Sequence, residues 1–207
     1  YRFLPGGGAA KARFVKSETA DGKDYFLSDP LTLVPFAAPG TPAPYDRAGE
    51  QVVARGVTAI ELAEGLAAPV RIETGSLGAP VGAMQACTDD LLKVWGLDLE
   101  QHKAMTAVAI PTPASSGVLP MGTIPFDQFG MLVGGANDVR LMIGADGKPT
   151  SCTIYAPSLS AALNERICKL LMKDAAFEPA KDSTGHPMAS FWMGPALAFG
   201  PPPRFIR

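Results

Sequence analysis

Apolar and polar positions alternate most regularly between Val139 and Trp192. Val139, Leu141 and Ile143 repeat at every second position, the spacing of a half-buried strand. Asp146-Gly147 then supplies the positive φ that a tight hairpin turn needs. Thr150, Cys152 and Ile154 carry the alternation back. After Pro157 the period changes. Ser158 or Ser160 is placed to cap a helix, and Leu159, Leu163, Ile167, Leu170 and Leu171 form one buried stripe at helical spacing. Pro179 is expected to stop that helix, and Lys181 to Gly185 to turn the chain. Met188, Ala189, Ser190, Phe191 and Trp192 then form a third strand, which Gly194-Pro195 is expected to interrupt before Leu197 to Phe199.

The first half is less regular. Residues 1–56 read as an extended arm with edge strands. Tyr25 to Phe36 alternates but is broken by Pro30 and Pro35, and Ala38 to Glu50 is a loop by composition. Val57 to Leu62 and Pro69 to Thr74 alternate with period two and predict a β-hairpin. A helix follows, with Ser76 as a possible cap, Pro80 in its first turn and Gly96 as its stop. Its apolar face runs through Val81, Met84, Cys87 or Thr88, Leu91, Leu92 and Trp95, so Met84 and Trp95 are expected over the hairpin. Four prolines between Pro111 and Pro125 exclude a regular helix there. The expected organisation is an arm over 1–56, a β-β-α domain over 57–108, a Pro-rich linker over 109–125, a second domain over 126–199 and a Pro-rich tail over 200–207. The fold class is α+β: two small domains, each a short antiparallel sheet with a helix on one face, plus extended Pro-rich arms.

Composition narrows the functions. Of 207 residues, 47% are hydrophobic and 18% charged, enough apolar material for a packed core. The net charge is −2 and lysines and arginines do not cluster, so nucleic acid is a poor partner. No apolar run approaches the length of a membrane span. The chain opens on Tyr1, which leaves room for a leader or an anchor ahead of it. Three cysteines are present, so at least one is free or paired between chains. Cys152 faces inward beside Ile154, and Cys168 lies next to Ile167 and Leu171. A disulfide between them and two buried thiols both fit. Cys87 reads as a core residue of its helix rather than a bridge to another chain.

Three segments carry a resemblance: VRLMIGADGKPTSCTIY, SLSAALNERICKLLMKDAAFEPAKD and DSTGHPMASFW. Their most specific phrase is Ala176-Phe177-Glu178-Pro179-Ala180, followed by Asp182 and then Gly185-His186-Pro187. Together they resemble the C-terminal domain of the TonB family of energy transducers, in its cysteine-containing form. The resemblance spans about residues 126–199. It implies a small sheet with helices on one face and a Cys152–Cys168 disulfide, hence an oxidising, periplasmic location. It also implies that a partner peptide adds as a strand to a free sheet edge, here Met188 to Trp192. The segment differs from the family at Leu163-Asn164, where Leu-Asp is common, and at Gly194-Pro195.

Signals for catalysis are weak. His186 lies in a turn before Pro187 and is expected to be exposed. His102 follows a Gly-terminated helix and is placed to meet its C-terminal dipole. Neither has a Cys, Asp or Glu at metal-ligand spacing. Glu73-Thr74-Gly75-Ser76 reads as a strand-to-helix turn. Asp89 and Asp90 diverge on a helix, and Gly6-Gly7-Gly8 lacks the spacing of a phosphate loop. No metal, cofactor or small-molecule substrate is expected. The reading is a non-enzymatic periplasmic interaction module that binds a protein of the cell envelope, an outer-membrane receptor or a membrane complex. The alternatives are an accessory subunit fixed to a large membrane-associated complex and, behind both, an unrecognised hydrolase.

Overall fold

The computed structural model describes residues 1–6, 10–12, 14–19, 21–28, 31–35, 41, 43–66, 68–135 and 137–200. The chain is mixed α+β and divides into two compact units. One holds the N-terminal segment and Tyr45–Trp95; the other holds Ala38–Pro44 and everything from Gly96 on.

In the first unit, β1 (Arg2–Leu4) and β2 (Phe14–Glu18) precede β3 (Asp24–Ser28), α1 (Arg47–Gly56), β4 (Ala59–Leu62), β5 (Val70–Glu73) and α2 (Gly78–Val94). β4 and β5 form the hairpin that their alternation predicts, and β1 adds antiparallel to β4. Arg2 stands opposite Glu61 and is ion-paired with it. β2 and β3 form a separate hairpin. Part of residues 1–56 is therefore paired strand, and Arg47–Gly56 is a helix capped by Asp46, which accepts from the Gly49 amide. α1 packs on α2 through polar groups. Arg47 Nη1 meets Asp89 at 2.6 Å, its Nη2 donates to the Gln85 carbonyl, and Gln51 donates to the Gly78 carbonyl. This pairing turns α2. Gly78, Val81 and Leu92 are buried, while Met84 and Leu91 are exposed. The expected packing of Met84 over the hairpin does not occur, and Cys87 is exposed rather than a core residue.

The second unit begins with α3 (Leu99–Lys103) and β6 (Ile110–Pro111). β7 (Asp138–Ile143) and β8 (Pro149–Tyr155) then form a hairpin, followed by α4 (Ala161–Asp174), β9 (Phe177–Glu178), β10 (Ala180–Lys181), β11 (Pro187–Met188) and β12 (Ser190–Pro195). β12 and β8 flank β7 in one antiparallel sheet, β10 pairs with β11, and β6 pairs with β9. Ser160 caps α4 by accepting from the Leu163 amide. The helix ends at Asp174, ahead of the expected stop at Pro179, because Phe177 already pairs in β9. Val139, Leu141, Ile143, Ile167, Leu171 and Phe199 fill the core.

Residues 109–125 are not a linker. Ala109, Leu119 and Ile124 join this core, and the buried Ser115 hydroxyl accepts from the Ala176 amide at 2.8 Å. The prolines bend a docked strap instead of spacing two domains, and the units divide at Trp95–Gly96. Gly96 has φ +77°, which suits glycine at a helix exit. Residues 201–207 of the expected tail, and Gly7 and Gly8 of the arm, lie outside the described residues.

Candidate functional site: the edge strand of the disulfide-bonded unit

The segment expected as one docking strand is shared between two. Met188 is buried and pairs with Ala180 in the β10–β11 ladder. Ala189 is the exposed link. Ser190, Phe191 and Trp192 open β12, which continues through Met193, Gly194 and Pro195 in register with Arg140, Val139 and Asp138. Gly194-Pro195 thus ends the strand rather than cutting it short. A Cβ at Gly194 would lie 2.9 Å from the Trp192 ring, so the glycine leaves room for the indole to fold across it. Pro195 lacks a donor, which an edge strand tolerates.

Period two sorts the side chains. Ser190, Trp192 and Gly194 stand opposite Ile143, Leu141 and Val139 on the core face. Trp192 packs there against Phe199, with ring centroids 4.9 Å apart, and against Phe177 at 6.3 Å. Phe191 and Met193 stand opposite Met142 and Arg140 on the other face. Arg140 reaches across that face to the Tyr155 hydroxyl at 2.7 Å and to Thr153 at 3.1 Å. His102 of α3 stacks on Phe191 at 5.9 Å. It is buried, not set at the end of α2 for its dipole, and burial pushes its pKa below the ordinary value. Among the described residues no strand pairs with the outer side of β12.

Cys152 and Cys168 form a disulfide, with Cα atoms 5.6 Å apart. Cys152 faces Leu141 across the ladder, on the core side of the sheet. The bond therefore ties α4 to that face of β8. Closing a loop of this length contributes roughly 3 kcal/mol by restricting the unfolded chain.

The other candidate residues are scattered. His186 is exposed, with Nδ1 2.7 Å from the Thr184 hydroxyl. Both lie in a turn held by Asp182, whose carboxylate accepts from Thr184 and the His186 amide and sits below its usual pKa, chiefly through Thr184. Asp89 turns to Arg47 while Asp90 pairs with Lys93 in solvent. Glu73 pairs with Arg71, and Ser76 bonds the Arg55 carbonyl. Among the described residues no three His, Cys, Asp or Glu side chains converge as a metal site, and no helix is long and apolar enough to cross a membrane.

The sequence reading missed Met193 to Pro195 as part of the edge. The signal was present: Ser190, Trp192 and Gly194 repeat with period two, the glycine matching the bulk two residues before it. Comparison with protein families, curated proteins and solved structures finds no match.

Proposed function

We propose that this chain is a non-enzymatic, periplasmic protein-binding module of the TonB-like kind, in which β12 takes up an extended segment of a cell-envelope protein. The observation that carries the reading is the outer position of β12 in a sheet whose other strands and helix are fixed in place. A six-residue strand at an edge is a template for main-chain pairing, with alternate side chains setting specificity. Phe191 and Met193 lie on one face for such contacts. The Cys152–Cys168 bond suits an oxidising compartment.

The test begins with a photo-cross-linking residue at Met193, which is exposed. The segment it captures in the envelope is then synthesised and added to the purified chain. The amides of β12 between Ser190 and Gly194 that point away from β7 should exchange at least about tenfold more slowly, as newly paired groups do, while those of β8 at the opposite edge keep their rates. Unchanged exchange along β12 with the segment bound would remove strand addition.

A second reading, a subunit held permanently in a membrane-associated complex, draws on a separate feature. Met121 and Phe126, 80% and 88% exposed, rim an apolar cleft of about 500 Å³ with Leu119, Ile124 and Leu197. Stoichiometric recovery of the chain in one large assembly after gentle extraction supports it. Recovery as a free monomer counts against it.

A further inference from the structure

β5 (Val70–Glu73) is an outer strand of the β1-β4-β5 sheet, and all four of its residues are exposed. Among the described residues no strand pairs with its open side. The Thr74 amide donates to the Thr58 carbonyl, continuing the β4–β5 register. By the alternation of an antiparallel ladder, the backbone N–H and C=O groups of Ile72 and Val70 also turn to β4, and those of Arg71 and Glu73 point to the open side. Side chains form rows across the sheet. On one face Phe3, Ile60 and Ile72 stand side by side, and Val70 stands beside Leu62. Ile72 is 45% exposed and Val70 42%, so this apolar face reaches the edge uncovered. On the other face Arg2, Glu61 and Arg71 alternate in sign, and Arg71 meets Glu73 along the strand at 2.5 Å.

We infer that β5 pairs antiparallel with β5 of a second copy, about a two-fold axis that passes beside Ile72 and joins the two sheets into one. Three observations select that occupant. First, the outward backbone groups belong to Arg71 and Glu73, so a two-fold ladder must bring these residues against each other or each against itself. The registers that set Arg71 against Arg71, or Glu73 against Glu73, oppose like charges. The register between them sets Arg71 against Glu73 in both halves at once, with each pair exchanging two main-chain hydrogen bonds. Charged side chains at an edge usually discourage pairing; two opposite signs spaced two residues apart do the reverse for a symmetric partner. Second, this register continues the charge row: Arg2, Glu61 and Arg71 are followed by Glu73 of the second copy. Third, it continues the apolar row on the other face. Ile72 stands against Ile72 at the axis and Val70 against Thr74, so every residue from Val70 to Thr74 has a matching counterpart.

Sedimentation of the full chain over a concentration series up to about 1 mM tests this, a range in which even weak pairing shows. The wild type should pass from monomer to dimer. Arg71→Glu places a carboxylate against Glu73 twice, and Glu73→Arg places a guanidinium against Arg71 twice. Each variant alone should therefore associate at least about tenfold more weakly, with unchanged circular dichroism showing that it folds. Mixing the two variants makes every opposed pair unlike again, so the mixture should form a heterodimer. The double variant Arg71→Glu/Glu73→Arg should regain the dimer on its own. In the wild type, the Arg71 and Glu73 amides should exchange at least about tenfold more slowly in the dimer than in the monomer, because they face the second copy. A chain monomeric throughout, a dimer that survives both single reversals, single variants that stay apart when mixed, or Arg71 and Glu73 amides that exchange alike in monomer and dimer overturns the inference.

Discussion

His102 sits where a positive charge is costly. Its ring lies nearly parallel to Phe191, and its Nε2 is buried without a hydrogen-bond partner. Asp98 on the same helix pulls the pKa up, but loss of water outweighs it, so the pKa falls below the ordinary 6.5. The folded chain then keeps this histidine neutral at pH values where the unfolded chain protonates it. The unfolded state binds more protons, so stability drops as pH falls from about 6.5 toward the depressed value. Asp21, Glu61 and Asp182 also have lowered pKa values, and their contributions fade only in the more acidic carboxylate range. Urea midpoints at pH 7.5 and 5.5, compared between wild type and His102→Gln, read this contribution: the wild type should lose more stability between them than the variant does. Equal losses would show that the imidazole is not held neutral. None of this was legible in the sequence. A lone histidine after a glycine suggests a helix end, and only the fold shows that an aromatic ring from a distant strand covers it.

At the scale of elements, legibility followed the strength of the apolar period. β7, its turn, β8 and the start of α4 were all readable, because alternation, Asp146-Gly147 and a serine cap agree on one answer. The turn also carries a constraint that local sequence does not show. Gly147 has φ +77°, and its carbonyl accepts from the Phe177 amide at 2.9 Å. A Cβ there would lie 2.2 Å from the Phe177 carbonyl oxygen. Gly147→Ala therefore meets both an unfavourable backbone region and backbone atoms with little freedom to move. We expect it to cost at least about 2 kcal/mol, more than strain at one residue commonly costs at the lower end, read as a fall in urea midpoint. Gly185→Ala, with φ +84° and nothing within 4 Å, has the strain without the collision and should cost less. Where period was absent, the reading failed. α1 offers few apolar positions and is held by Asp46, Arg47 and Gln51, whose hydrogen bonds leave no pattern in a hydropathy trace. The apolar residues of α2 were recognised as helical, yet one face was assigned where there are two, because the partner that claims Val81 and Leu92 had not been seen as a helix.

At the scale of the molecule, prolines misplaced the boundary. They report a restricted backbone, and restriction serves a docked strap as well as a linker; burial of Leu119 and Ile124 decides between the two. The observed division puts Trp95 in the first unit and Trp192 in the second, while the disulfide lies wholly in the second. These are the chain's two tryptophans, so each unit carries its own reporter. Reducing the bond removes about 3 kcal/mol from the second unit, and a domain somewhat above 100 residues loses roughly 3–6 °C of Tm per kcal/mol. The fluorescence transition of a Trp95→Phe variant, which follows Trp192, should therefore fall by about 10–20 °C on adding reductant. Trp192→Phe, which keeps an aromatic ring against Phe177 and Phe199, leaves Trp95 to report a transition that reductant does not move. Equal shifts at both reporters would mean that the two units unfold as one. No shift at Trp192 would mean that the clamp between β8 and α4 contributes little, and a rigid sheet edge at β12 would then have to be maintained by the aromatic core alone.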